Sequence, residues 1–84
     1  MASASEDVTA LVRTMVEQLV DEPAAVQVTG SNPRASELFI EVSVAEDDIG
    51  KVIGRQGRII KALRTLARAA ASQYGLQVEV ELAE

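Results

Sequence analysis

The sequence predicts an α+β domain of two layers, a small sheet with helices packed on one of its faces. Two short stretches alternate apolar and polar residues with period two, Glu37 to Val44 and Leu76 to Leu82, as strands with one buried face do. Two longer stretches, beginning near Glu6 and near Arg58, repeat their apolar residues at helical spacing. The chain has only 84 residues, enough for one domain and one core.

Residues 1–5 are small and polar and are expected to form a disordered tail, with the single domain spanning 6–84. Ser3 or Ser5 is placed to cap a first helix whose opening turn holds Glu6 and Asp7, where acids oppose the positive end of the helix dipole. Val8, Leu11, Val12, Met15, Val16, Leu19 and Val20 form its apolar stripe, and Pro23 disfavours helical geometry at the residue before it. Val26 and Val28 alternate with Gln27 and Thr29 as a short strand, and Gly30-Ser31-Asn32-Pro33 supplies turn chemistry. The next strand buries Leu38, Ile40, Val42 and Val44 and turns Glu37, Phe39, Glu41 and Ser43 outward. A short helix is expected from Glu46 to Ile53, then a glycine loop, then a long helix from Arg58 to Gln73 ended by Gly75. On a helical wheel the long helix gathers Ile59, Ile60, Leu63, Leu66, Ala67, Ala70 and Tyr74 in one sector and Arg58, Lys61, Arg64 and Arg68 in another. The last strand buries Leu76, Val78, Val80 and Leu82 and exposes Gln77, Glu79 and Glu81, which gives the order α-β-β-α-α-β.

Composition removes many chemistries. With no Cys and no His, the chain has no thiolate, no imidazole base and none of the usual zinc ligands. Enzyme activity, a metal and a cofactor are therefore not expected. Acids at Glu46, Asp47 and Asp48 are explained by the helix they open. No apolar run reaches the ~20 residues of a membrane span, and a soluble cytoplasmic protein is expected. The net charge of −5 disfavours a polyanion as partner, yet the charges are sorted along the chain. Residues 1–48 hold ten acids and two bases, residues 49–78 six bases and no acid, and residues 79–84 three acids.

The basic segment carries the function. Gly54 and Gly57 stand three apart between Val52-Ile53 and Ile59-Ile60. A turn joining two helices without a spacer needs backbone angles that side chains resist. Without Cβ atoms there, a sugar-phosphate backbone can reach the N–H groups that open the long helix. Lys51, Arg55 and Arg58 surround that anion site, and Ile49, Val52 and Ile53 are candidates for a groove floor on which unstacked bases lie. A nucleotide-binding P-loop is excluded, because GKVIGRQG lacks the G-x-x-x-x-G-K-[ST] pattern.

The run VIGRQGRI resembles the VIGxxGxxI signature of KH domains, whose GxxG loop grips about four nucleotides of single-stranded nucleic acid. The element order resembles the type II arrangement, and DDIGKVIGRQGRIIKALRTL in so short a chain is similar to the KhpA-like family of small bacterial RNA-binding proteins. The resemblance implies a three-stranded mixed sheet with three helices on one face. It implies single-stranded RNA as ligand, bound through Gly54, Arg55, Gln56 and Gly57 with Lys51, Arg58, Lys61, Ile49, Val52 and Ile53. It places Arg34, in the loop after the first strand, at the border of the groove. It also implies a non-catalytic RNA chaperone or post-transcriptional regulator that forms a homodimer or a heterodimer with a larger KH-containing protein. The competing expectation is a protein-interaction or assembly domain that binds little RNA, using the acidic sheet face and the first helix.

Overall fold

The computed structural model describes residues 3–84. Helix α1 runs Ala4–Leu19 and is opened by a capping box: the Ser3 hydroxyl accepts from the Glu6 N–H at 3.1 Å, and the Ser3 N–H donates to Glu6 Oε1 at 3.1 Å. The Ser3 N–H, and after it the Ser3 hydroxyl, hold the Glu6 carboxyl below its ordinary value. The expected disordered tail therefore does not extend over Ser3, Ala4 and Ser5, and its first two residues lie outside the described chain. After α1, Pro23 opens a one-turn 3-10 helix, Pro23–Ala25, where its missing N–H costs nothing.

Strands β1 (Gln27–Ser31) and β2 (Glu37–Ser43) pair antiparallel, Val28 opposite Val42 and Gly30 opposite Ile40. Strand β3 (Gln77–Leu82) runs parallel to β2, with Leu38 beside Val78 and Ile40 beside Val80. The order β1-β2-β3 leaves β1 and β3 as edges. Between β2 and β3 the chain crosses over through a 3-10 turn at Glu46–Asp48, helix α2 (Ile49–Ile53) and helix α3 (Arg58–Ser72), as a parallel connection requires. This is the expected α+β order with a mixed sheet and three helices on one face.

The core is one aliphatic layer. Val8, Val12 and Val16 of α1 and Ile60, Leu63, Ala67 and Ala71 of α3 meet Val28, Leu38, Ile40, Val42, Val78 and Val80 of the sheet. Each large side chain removed from water contributes roughly 1.5 to 3 kcal/mol, and Ala67 and Ala71, both 0 % exposed, let α3 lie close over the sheet. Two sequence expectations shift here. Leu66 is 53 % exposed, because the buried stripe of α3 follows 60, 63, 67 and 71 instead of the whole apolar sector, and Tyr74, 50 % exposed, lies in the turn beyond the end of the helix at Ser72. Gly30 is a strand residue and not a turn residue: a Cβ there would lie 2.5 Å from Thr9 Oγ1, so its bare backbone admits α1. The turn falls later, before Glu37.

Candidate nucleic-acid interface

The corner between α2 and α3 carries the backbone strain of the molecule. Gly54 lies at φ 77°, ψ 173°, a region open essentially to glycine alone. Gln56 (φ 59°) and Gly57 (φ 74°) follow in left-handed geometry. The two glycines are not equivalent. A Cβ on Gly54 would stand 2.5 Å from Ile59 Cγ1, whereas one on Gly57 would meet only Ile60 Cγ2 at 3.9 Å. Gly54 is thus fixed by packing as well as conformation, while Gly57 leaves open space at the mouth of α3.

That space adjoins a helix start with no side-chain cap, since Gly57 occupies the capping position. The Arg58 N–H is satisfied by the Arg55 carbonyl, which leaves the amides of the following first turn facing outward with the positive end of the dipole. Arg55, Gln56, Arg58 and Lys61 are all exposed around it. Arg58 Nη2 donates to Gln56 Oε1 at 3.2 Å, which turns the guanidinium toward the loop. The structure therefore brings Gly54, Arg55, Gln56, Gly57, Arg58 and Lys61 together as one cationic corner able to hold a phosphodiester.

Three of the expected residues are placed differently. Lys51 Nζ sits 3.2 Å from Asp21 Oδ2 and 3.2 Å from Asp48 Oδ1, so two carboxylates already neutralise it; its hydrogen bond to Asp21, then that to Asp48, raises its pKa. Val52 is 0 % exposed and belongs to the core, so it cannot floor a groove; Ile49 and Ile53, half-buried, flank it. Arg34 lies at the other end of the sheet. Its loop meets the start of β3, where Gln77 N–H donates to Ser36 O at 2.9 Å, whereas the glycine corner adjoins the end of β3. The length of β2 separates them by about 20 Å, and Arg34 faces only Glu37, at 4.0 Å.

Asp48, one of the three acids that precede α2, is only 2 % exposed. Burial pushes its pKa up, but the N–H groups of Asp21 and Glu22 and the Lys51 ammonium outweigh that and hold the carboxyl below its ordinary value. Glu22 N donates to Asp48 Oδ2 at 3.1 Å. Asp48 and Lys51 thereby staple the chain after α1 to the helix that carries the loop, a structural role in place of ligand contact.

A groove of about 450 Å³ runs from the corner between the helices and the outer edge of β3, lined by Ile53, Ile60, Arg64, Glu81, Leu82 and Glu84. Sequence reading placed Arg64 in the basic sector of α3 without separating it from a solvated helix face. The structure gives it a distinct position: Arg64 Nε donates to Val80 O at 3.1 Å. Val80 O thus points away from β2, while Ala83 N–H donates to Val42 O at 2.8 Å. By alternation the backbone polar groups of Val78, Val80 and Leu82 face the groove. Ile53, Ile60 and Leu82 beside an open strand edge, with the cationic corner adjoining, suit an unstacked base with its phosphate on the loop; a duplex, with its base edges hidden, would not enter.

Residues 9–82 match the family described as KhpA/KhpB, KH domain. The chain is similar to the RNA-binding protein KhpA of Caldanaerobacter subterraneus subsp. tengcongensis, 49% identical over 72 residues, 86% of this chain and 95% of the relative. It is 40% identical over 74 residues to the protein of the same name from Listeria monocytogenes, 88% of this chain and 96% of the relative. Among solved structures, Aquifex aeolicus Era bound to GDP.AlF4- superimposes with a TM-score of 0.62 at 22% identity, over 98% of this chain and 31% of that one. Era in complex with MgGDPNP and nucleotides 1506-1542 of 16S ribosomal RNA gives a TM-score of 0.58 at 23% identity, over 89% of this chain and 28% of that one. The Era likeness concerns the fold, since this chain spans only about a third of those longer chains.

Proposed function

This chain belongs to the KhpA/KhpB KH-domain family, and on that premise we propose that it is a non-catalytic protein that binds short single-stranded RNA through the Gly54–Gly57 loop. One observation carries the reading: the uncapped amides of α3 stand behind two glycines and among Arg55, Arg58 and Lys61, with a groove leading away. The relatives' printed name, RNA-binding protein KhpA, supports the ligand class. Phosphate on the loop fixes register, and the groove beside β3 takes bases. With about two to four phosphates neutralised, log K against log salt slopes by only roughly −1.4 to −2.8 on single strands.

Such weak, shallow binding suits an RNA chaperone or a post-transcriptional regulator, acting in the cytoplasm, that gains strength from a second copy or a larger KH-containing partner through effective concentration. Leu11 and Leu66 on the helices and Tyr74 in the turn after α3, the large apolar side chains left exposed among the described residues, favour such an association. They also favour the second reading, a protein-assembly domain that binds little RNA. The double change Arg55→Asp, Gln56→Asp separates the two. It is expected to abolish crosslinking to single-stranded RNA while circular dichroism and partner binding stay unchanged. Undiminished RNA binding would refute the loop reading.

A further inference from the structure

The groove beside β3 carries opposite charges on its two walls. Arg64 and Arg68 of α3 form one wall, and Glu79 and Glu81, on the outward side of β3, form the other; the edge of Val80 lies between them. Arg64 and Glu81 line both this stretch and the wider groove next to the loop. Yet among the described residues neither Arg64 nor Glu81 enters a salt bridge within 4.0 Å. Arg64 cannot swing freely to close the gap, because its Nε is spent on Val80 O. Its terminal NH2 groups remain as donors on one side, and the Glu81 carboxylate remains as an acceptor-only group on the other.

A guanidinium and a carboxylate that flank the Val80 edge without forming an ion pair match a flat ligand whose edge offers acceptors at one end and a donor at the other. A nucleobase bearing an exocyclic amino group meets that description. Cytosine presents O2 and N3 as acceptors and the N4 amino group as donor, and carboxylates accept from that amino group. Uracil has the same shape but places a carbonyl oxygen where cytosine has its amino group, and that oxygen faces the carboxylate lone pairs. Resting on the RNA-binding reading above, we propose that Glu81 is a specificity-determining residue that selects amino-bearing bases, cytosine over uracil, with Arg64 as the fixed donor opposite. Arg68 and Glu79 repeat the arrangement one step along the edge. The steps are about 6 Å on the helix and about 7 Å on the strand, wider than the 3.4 Å rise of stacked bases, so the trough suits bases that have been unstacked.

The test is fluorescence anisotropy with the full chain and labelled hexanucleotides of cytidine and of uridine in one buffer. Wild type is expected to favour the cytidine strand about tenfold, the equivalent of one charge-assisted hydrogen bond. Glu81→Gln, whose amide can accept or donate, is expected to bring the ratio to within about twofold. Glu81→Lys, a donor only, is expected to reverse it. Glu81 is exposed on the open face, and unchanged circular dichroism checks that both variants fold. Equal affinity of wild type for the two strands, or a ratio that survives both changes, overturns the proposal. The doubly changed loop, Arg55→Asp with Gln56→Asp, is run beside them. If it abolishes binding while the Glu81 variants leave the ratio untouched, base selection by Glu81 is refuted and the loop reading stands. If it binds both strands like wild type, the loop reading itself falls, and the selection built on it falls too.

Discussion

The two edges of the sheet use the same device to different ends. At the β1 edge Arg13 Nη2 of α1 donates to Val28 O at 2.8 Å, and at the β3 edge Arg64 Nε of α3 donates to Val80 O at 3.1 Å. In each case a helix arginine occupies an outward carbonyl and discourages edge-to-edge pairing with another chain. The surroundings then diverge. The hollow beside β1 holds Glu6, Asp7 and Arg13 among small and neutral groups, and no left-handed glycine turn of the described residues opens onto it. The groove beside β3 leads to the glycine corner, with Arg55, Arg58 and Lys61 around it. An open strand edge is therefore a common scaffold feature, and the neighbouring backbone and charge decide whether a polyanion settles there. The net charge of −5 is not spread over the corner: residues 49–61 hold Lys51, Arg55, Arg58 and Lys61 and no acid, and the acids nearest the RNA path are Glu81 and Glu84, farther along the groove.

The sharpest way to break this contrast is at Gly54. Gly54→Ala forces a side chain into a glycine-only conformation and against Ile59, at an expected cost of about 2 to 4 kcal/mol. For a domain this small that is roughly 10 °C or more in Tm by thermal denaturation. Gly57→Ala meets open space, and only its left-handed backbone opposes it, at about 1 to 2 kcal/mol. Equal losses would show that the loop is not packed as described.

The paired arginines sharpen the comparison of edges. Arg13→Met and Arg64→Met each remove one hydrogen bond to an edge carbonyl and are expected to cost similar stability, about 0.5 to 1.5 kcal/mol in urea titration. Only Arg64→Met is expected to weaken RNA binding. Matching losses of affinity from both would erase the distinction between the edges.

A smaller effect concerns the staple beneath the loop. Asp48 titrates below its ordinary 3.8 in the folded chain. Its contribution to stability is thus present above that value and lost as pH falls through the lower, folded one. Asp48→Asn is expected to flatten the decline of Tm between about pH 5 and pH 3. A decline identical to wild type would place the acid sensitivity elsewhere.

Much of the fold was legible because periodicity reports burial directly: the alternation at 37–44 and 76–82 gave both long strands, and the glycine spacing gave the corner. What periodicity cannot report is which neighbour covers a given face. Parallel pairing of β3 with β2 leaves no mark in either strand. Leu66 reads as part of the apolar sector of α3, but the face turned to the core follows 60, 63, 67 and 71, and Tyr74 lies past the helix end. Gly30 reads as a turn because the constraint comes from Thr9, 21 residues earlier. The same limit governs the site. Gly54 to Arg58 are consecutive and Lys61 follows within a helical turn, so that these residues share one corner was legible from the sequence. Lys51 read as a ligand cation because its partner Asp21 is distant in sequence, and Val52 read as groove floor because a five-residue helix shows no clear inward face. Arg34 was assigned to the wrong end of the sheet because strand direction was unknown, and the pinned position of Arg64 depends on β3 lying beside α3.

The most direct measurement is a backbone amide titration of the full chain by NMR with a short single-stranded RNA. The account predicts the largest shifts at Gly57, Ile59 and Ile60, smaller ones at Val80 and Leu82 along the β3 edge, and none at Val28 or Gly30 on β1. Shifts centred on β1 or on the open sheet face, with the amides that open α3 unmoved, would contradict it.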